Sequence, residues 1–445
     1  RLDWKATAGA PGTAKIMIVA RGSSYSDAME KTYPIFDHGI EKFIARSGKV
    51  RGDNVTVKLD LPARRRSTEL LVHVTPSMAV TMLDALPYLI DYPYGCTEQT
   101  MSRFLPAAIT AKTLRELGLP SDRIFETGGI EKETAGKTHA KGRKSLQQLP
   151  AMMKSGLNRL YDFQHADGGW GWWKEGESDH FMTAYVIWGF TLAKNAGLEV
   201  RSDSFERGVN FLQKEIVEEE NNFDMQAWML HALSAVQRKP RFEEKAFDNL
   251  WKNRDRLNAY TRALLALSAA AMGRSEEAQV LVRNLENGVN LDSAPDVSIL
   301  IGGKHADSTM DTAHWGEDGI YWRWSDGGVE ATAFALKALL TIDPQNKLVE
   351  PVTNWLIKNR RGAQWHSTRD TAIVVLALND YLKQSGEMQT DLEFELSVNG
   401  KSVATHQISP SEIFDAPSVF QIDPQLIREQ NQIRIRRTKG SGPIY

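Results

Sequence analysis

The sequence has a single cysteine, Cys96, in 445 residues. An internal disulfide is therefore excluded, and so are zinc clusters that need several thiolates. Charge of one sign is not in excess either: 54 Lys+Arg face 56 Asp+Glu, a formal net charge of -2. Such a balance gives no field that would draw the whole surface to nucleic acid or an anionic membrane, and nucleic acid is not expected as a partner. No apolar run reaches the ~20 residues needed to cross a bilayer. The opening RLDWKATAGAPG lacks the charged and apolar regions of a signal peptide. Because the chain starts at Arg1 and both ends read as strands entered midway, it is expected to be a piece of a longer polypeptide, with any targeting signal elsewhere. Compact metal-ligand spacing of the H-E-x-x-H kind is missing too. His305 with Asp307 and His314, or His180 with Asp179, come nearest to a ligand set, and no metal or external cofactor is expected.

What remains is the composition of an ordinary globular protein, 42% hydrophobic and 25% charged, at two to three times the usual domain length. Short alternating runs punctuated by Gly, Pro, Asp and Asn mark strands near the start (AKIMIVARG, NVTVKLDLP, TELLVHVTP) and again near the end (DLEFELSVNGKSVATHQIS, NQIRIRRTKG). Asn399-Gly400 between Val398 and Lys401 is a tight-hairpin signal.

Between these flanks the apolar spacing is helical and one unit recurs: MTAYVIWGF, MQAWMLHAL, TRALLALSA, ATAFALKAL, DTAIVVLAL. Its first alanines, Ala184, Ala227, Ala263, Ala333 and Ala372, lie 43, 36, 70 and 39 residues apart, the 70 being close to two units. One helical hairpin per unit follows, with these nearly all-apolar helices as an inner layer packed on both sides. If residues before and after the helical block share a sheet, the block must begin and end close together. A closed ring satisfies this; an extended solenoid does not. The expected fold is mainly α: an α/α toroid of helical hairpins over residues 76–388, inserted into a discontinuous β-sandwich contributed by 1–75 and 389–445. The segments Asp167-Gly168-Gly169-Trp170-Gly171 and Trp324-Ser325-Asp326-Gly327-Gly328 precede repeat helices and read as hairpin turns, and Gly128 to Arg143 reads as a mobile surface loop.

Cys96-Thr97-Glu98-Gln99 opens a helical run. Positions i and i+3 share a helix face, so the Cys96 sulfur and the Gln99 side-chain carbonyl can meet and condense with loss of ammonia. The product, a thioester, is an acylating agent because a thiolate is a good leaving group. It survives only where water is excluded, and Tyr92, Tyr94, Met101 and Phe104 are candidates for that shield. A lone cysteine is more often a small buried hydrophobe. Against this, a Glu-Gln pair at this offset from a given cysteine arises by accident only about once in 400. Glu98 can orient the pair, or simply stabilise the first turn by a few tenths to ~1 kcal/mol. His231, on an apolar helix, is expected to be a hydrogen-bonded core residue.

Gly95-Cys96-Thr97-Glu98-Gln99 resembles the G-C-x-E-Q signature of the thioester domains of alpha-2-macroglobulins and complement proteins. Thr183 to Val186, Glu330 to Leu336 and Ser367 to Ala372 are similar to that domain's later helices in order, and Ser26 to Thr32 to the strand region before it. The resemblance spans most of the chain. It implies a toroid inserted in a CUB domain, with Cys96 and Gln99 as an internal thioester pair. It also implies a covalent protease trap without turnover, in which lysine amines of a target protease attack the Gln99 carbonyl after bait cleavage elsewhere. The remaining macroglobulin domains of the same polypeptide would be partners, and the compartment periplasmic, cell-envelope or extracellular. Complement members carry a histidine before a middle helix; the matching stretch, Glu215 to Asp224, has none, so amines are expected to be preferred over hydroxyls. The rival reading is an α/α-barrel enzyme, either a terpenoid cyclase, from the Gln164…Asp167-Gly168-Gly169-Trp170 turn, or a glycosidase with paired carboxylates. No D-x-D-D run supports the former.

Overall fold

A computed structural model describes residues 3–7, 9–35, 44, 53–65, 67–75, 85, 89, 95–116, 139–236, 238–292, 299–301, 304–305, 311–316, 328–361, 364–385, 391–409 and 418–444; for 114–116, 139–150, 299–301 and 304–305 only the backbone is described. The chain divides into two compact units, Arg1–Arg46 and Ser47–Tyr445.

In the first unit, β1 (Gly12–Arg21) and β2 (Ser26–Ile35) form an antiparallel hairpin in register from Gly12↔Ile35 to Arg21↔Ser26. Among the described residues the two strands pair only with each other.

The second unit is built around eleven helices among the described residues. Six are inner: α1 (Thr97–Glu116), α3 (His180–Asn195), α5 (Phe223–Ser234), α7 (Ala259–Ala271), α9 (Val329–Ile342) and α11 (Thr368–Ser385). Five are outer: α2 (His139–Asp162), α4 (Ser202–Glu215), α6 (Glu243–Lys252), α8 (Ser275–Asn287) and α10 (Val349–Lys358). Around the inner layer α1 packs on α3, α3 on α5, α5 on α7, α7 on α9, α9 on α11, and α11 back on α1. The ring is closed. Inner helices are buried almost throughout, as in α9, where ten of fourteen residues are buried. An outer helix such as α4 buries a stripe, Phe205, Gly208, Val209 and Leu212, the i, i+3, i+4, i+7 face that one-sided packing selects. The loop expected from Gly128 to Arg143 is corrected in part: His139 to Arg143 form the first turns of α2, while 128–138 lie outside the described residues.

Three tryptophans fasten the hairpins in the same way. The backbone N–H of Trp170, Trp315 and Trp365 donates to the hydroxyl of Thr183, Thr332 and Thr371 at 2.9, 3.1 and 3.0 Å. Each threonine is the fourth residue of its inner helix. The indole N–H of the same tryptophans donates to the carbonyls of Leu160, Leu285 and Leu356 at 2.6, 3.0 and 2.8 Å, each in the last turn of the preceding outer helix, where carbonyls have no partner within the helix. One buried side chain thus ties an outer C-terminus to the next inner N-terminus. Trp170 belongs to a turn that the sequence marks and Trp315 to a segment that it does not, while Trp324 lies outside the described residues. Before α9, Gly328 has φ +71°, and a Cβ there would run into the carbonyl oxygens of Trp315 and Gly316.

A short antiparallel pair, β5 (Asn290–Asp292) with β8 (Thr312–His314), lies within the helical block. Strands from before, within and after that block, β3 (Asn54–Asp60), β6 (Ile299–Ile301), β7 (Lys304–His305), β9 (Asp391–Val398), β10 (Lys401–Ile408) and β12 (Gln430–Ser441), meet in one sheet of order β10-β9-β12-β3-β6-β7. β12 pairs with β3 on one side and β9 on the other, so the chain entering the toroid and the chain leaving it lie side by side. At the β9–β10 turn Asn399 and Gly400 have φ +52° and +83°, the two positive values a tight hairpin needs. A second pair, β11 (Ser418–Gln421) with β4 (Leu71–Val74), brings Phe420 to 6.0 Å from Phe394 of β9, ring centre to ring centre. No helix among the described residues is long and apolar enough to cross a membrane.

Candidate functional site

Cys96 is the residue just before α1, and its carbonyl accepts the first intrahelical bond from Thr100 N at 2.9 Å. It therefore holds the N-cap position, and Gln99 is the third residue of the helix. The two form a reciprocal pair: Cys96 N–H donates to Gln99 Oε1 at 3.3 Å, and Gln99 N–H donates to Cys96 Sγ at 3.5 Å. This is the capping box, with sulfur in place of the usual hydroxyl. The consequence is chemical as well as structural, since the same two bonds hold a sulfur nucleophile beside an amide carbonyl.

The turn before and the turn beside α1 fix this box. Gly95 O accepts from Arg159 Nη2 and Nε of α2 at 2.6 and 3.1 Å. A Cβ on Gly95 would lie 2.5 Å from Arg159 Nη2, so a side chain there would have to displace the guanidinium that binds the Gly95 carbonyl. Thr97 N–H donates to Trp172 O at 2.9 Å, and Thr97 Oγ1 to Gly171 O at 2.6 Å. The Gly-Trp turn is thus bolted to the first residue of the helix, which places it as one wall of the site.

Cys96 is 6% exposed, and burial pushes its thiol above the ordinary value, partly offset by the hydrogen bond from Gln99 N–H. Glu98 faces the other way, into the ring. Ser102 Oγ donates to its Oε1 at 2.6 Å, and Thr368 Oγ1 lies 3.2 and 3.3 Å from its two oxygens. Burial raises its carboxyl above the usual range, against the opposing effects of the Ser102 bond and the Arg369 charge.

Behind Glu98 the first turns of all six inner helices converge. Arg369 of α11 makes a forked pair with Glu330 of α9, Nε at 3.0 Å from both oxygens and Nη2 at 2.6 Å from Oε1. Its guanidinium lies 4.4, 4.5 and 4.9 Å from the ring centres of Phe181, Tyr185 and Trp228. Tyr185 OH and Ser102 Oγ are 3.2 Å apart, and Thr261 of α7 donates to Asp224 of α5. Asp370, 1% exposed, is pushed up to about 7 by burial and by the nearby Glu330 charge, although Ser367 Oγ donates to it at 2.9 Å.

The structure therefore brings Cys96 and Gln99 together and sends Glu98 into a polar hub. Met101 and Phe104 are 0% and 1% exposed and pack inward; Phe104 meets Gly156 of α2, where a Cβ would lie 3.0 Å away. Tyr92 and Tyr94 lie outside the described residues. Arg369, Glu330, Thr368 and Arg159 were given no role from sequence, although Thr-Ala at the inner helices and a charged second residue in α1, α5, α9 and α11 were there to be read. His231 is a correction. It is buried as expected, but its Nε2 has no hydrogen-bond partner among the described residues, and burial lowers it to about 3, so it is a neutral ring among Trp188, Trp228 and Phe334. Of the metal candidates, Asp179 caps α3 through Met182 N–H at 2.8 Å, and His314 stacks on Trp355 at 4.8 Å. Asp307 and the His305 side chain are outside the described residues, among which no cluster of three or more ligating side chains occurs.

A closed helical ring with a cysteine–glutamine box on its N-terminal rim defines a macroglobulin-type domain. The family model for the A-macroglobulin TED domain matches residues 69–239 and 220–381, and the chain belongs to that family. The alpha-2-macroglobulin of Thermotoga maritima is 26% identical over 416 residues, covering 89% of this chain and 22% of that protein. Thioester-containing protein 1 allele R1 of Anopheles gambiae is 20% identical, covering 82% of this chain and 26% of that protein. The chain thus spans about a quarter of the length of these curated relatives. Among solved structures, native Escherichia coli alpha-2-macroglobulin from domain MG7 to the C-terminus superposes with a TM-score of 0.53 at 16% identity, over 98% of this chain and 63% of that one. Salmonella alpha-2-macroglobulin reacted with methylamine gives 0.52 at 16% identity, over 98% of this chain and 26% of that one. At such identity these two establish the fold.

Proposed function

We propose that Cys96 and Gln99 condense into an internal thioester and that the full-length protein uses it to trap proteases. The observation that carries this reading is the reciprocal Cys96–Gln99 pair at 3.3 and 3.5 Å. In the condensation Cys96 Sγ attacks Gln99 Cδ, the S–C bond forms, the C–N bond breaks, and the thiol proton leaves with the amide nitrogen as ammonia. An amine then attacks the same carbon, the C–S bond breaks, and the electron pair returns to Cys96. A helix N-terminus favours that thiolate. After bait cleavage elsewhere in the polypeptide, the attacking amine is a lysine of the protease, which ends covalently bound with no turnover. The β sheet joined across the toroid supports the CUB-like flank, and the bacterial relatives support an envelope or extracellular setting.

Amine preference over hydroxyls is part of the same reading. Glu215 to Asp224 holds no histidine, and His180, which abuts that stretch, has its Nδ1 engaged by Glu219 at 2.6 Å. The cyclase reading lacks support, since the Gly-Trp turn has a structural duty in fastening α1.

The deciding experiment is the intact mass of fresh protein, with Cys96 thiol titration before and after methylamine. A mass one ammonia below the sequence value, then thiol release with a methylamine adduct, is expected. The full sequence mass with a thiol titratable on unfolding and no adduct would refute the thioester.

A further inference from the structure

The Gly95 carbonyl and the Cys96 N–H belong to one peptide unit, and both of its ends are engaged. Arg159 Nη2 and Nε donate to Gly95 O at 2.6 and 3.1 Å, while Cys96 N–H donates to Gln99 Oε1 at 3.3 Å. A trans peptide points its carbonyl and its N–H in opposite directions, so a guanidinium, a peptide and the Gln99 carbonyl oxygen form one chain of hydrogen bonds. Two other first-turn donors are committed elsewhere, Thr97 N–H to Trp172 O at 2.9 Å and Gln99 N–H to Cys96 Sγ at 3.5 Å. The donor that the described residues give Gln99 Oε1 is therefore the N–H of the peptide that Arg159 grips. Arg159 is itself held in place. It lies in the last turn of α2, next to Leu160, whose carbonyl takes the Trp170 indole N–H at 2.6 Å. Its guanidinium rests 4.7 Å from the centre of the Phe163 ring.

We propose that Arg159 is a positioning residue for the thioester chemistry: its charge polarises the Gly95–Cys96 peptide and so strengthens Cys96 N–H as the donor to the oxygen on which charge develops. This inference rests on the thioester reading and adds to it. When an amine attacks Gln99 Cδ, the N–C bond forms and the carbonyl π pair moves onto Oε1. On collapse that pair returns, the C–S bond breaks with its electrons on Cys96 Sγ, and the proton lost by the amine ends on the sulfur. Full charge on the oxygen exists only between these steps, so a donor aimed at it lowers the barrier more than it stabilises the resting thioester. A peptide that accepts a bond from a cation donates a stronger one through its own N–H. A 3.3 Å contact in the resting site can tighten as charge builds. The same chain serves the condensation, where attack of the sulfur on the amide puts charge on the same oxygen.

The test is the pseudo-first-order rate constant of thiol release by methylamine at fixed pH in wild type, Arg159→Met, Arg159→Gln and Arg159→Lys, with urea midpoints alongside. Read from the time course, the constant does not depend on how much thioester each preparation starts with. Methionine keeps bulk against Phe163 and loses the charge, glutamine keeps a neutral donor, and lysine keeps a point charge that can reach a carbonyl. Arg159→Met and Arg159→Gln are expected to react about threefold more slowly than wild type, the effect of weakening one oxyanion donor by some tens of per cent. Arg159→Lys is expected to recover the wild-type rate, which a merely structural tether does not predict. Equal rates for the lysine and methionine variants, both fast or both slow, overturn the proposal while leaving the thioester intact. If Arg159→Met fails to fold, Arg159→Gln takes its place in that comparison. A wild-type mass with no ammonia lost is the separate failure of the thioester reading.

Discussion

Replacing Arg369 with methionine tests how the hub holds the rim of the ring. The side chains of Arg369 and Glu330 are 10% and 15% exposed, and their fork uses three contacts of 2.6 to 3.0 Å. Removing one partner of a buried pair leaves an uncompensated charge, at a cost of about 3–5 kcal/mol. Glu330→Gln leaves the opposite charge, but Arg369 keeps its three aromatic rings at 4.4 to 4.9 Å. Cation–π attraction of ~1–2 kcal/mol offsets part of the loss, so Glu330→Gln should cost less than Arg369→Met. In the double variant no buried charge is stranded, and it should be more stable than the sum of the singles by roughly 2–3 kcal/mol. Urea midpoints followed by both far-UV dichroism and tryptophan fluorescence give the comparison, coincidence of the two probes licensing a single free energy. Arg369→Met within ~1 kcal/mol of wild type, or a strictly additive double variant, would refute the reasoning.

The pH dependence of Asp370→Asn follows from its carboxyl, raised to about 7 from an ordinary 3.8. Stability from the protonated form is fully present below pH ~4 and is lost as pH rises through 7, up to about 4 kcal/mol. Asparagine keeps the neutral form, so the difference in Tm between variant and wild type should move in the variant's favour from acid to neutral pH; an unchanged difference would exclude this. Thr183→Val and Thr371→Val each strand a tryptophan N–H, costing about 1–3 kcal/mol. Because the two staples sit on opposite sides of α1, the double variant should be additive in denaturant titration. Gly328→Ala combines positive φ with overlap of two carbonyls; a loss of at least ~2 kcal/mol is expected, and Gly176→Ala, with open space around it, is the control for overlap as against strain. Cys96→Ser, read by intact mass, should remove the deficit of one ammonia and the methylamine adduct together, and a persisting deficit would place the chemistry elsewhere.

The repeat of apolar helices, the alanine spacing and the capping-box motif belong to local sequence, because a helix declares its buried face by period and its start by its cap. From these alone the helical hairpins, the inner layer and the meeting of Cys96 with Gln99 were legible: all three depend on residues within a few positions of one another. The ring closure was inferred from β texture at both ends, and the structure supplies it directly through α11 on α1 and β3 beside β12. What only the tertiary structure decided are contacts between residues far apart in the chain. Glu98 and Thr368 are 270 residues apart, and no periodicity relates them. Likewise the duty of Trp315 is visible only once Leu285 and Thr332 stand on either side of it. The direction of Glu98, the neutrality of His231 and the raised Asp370 carboxyl follow from burial and from charges brought in by other helices. Those are properties of the packed ring, because desolvation depends on what surrounds a group in space.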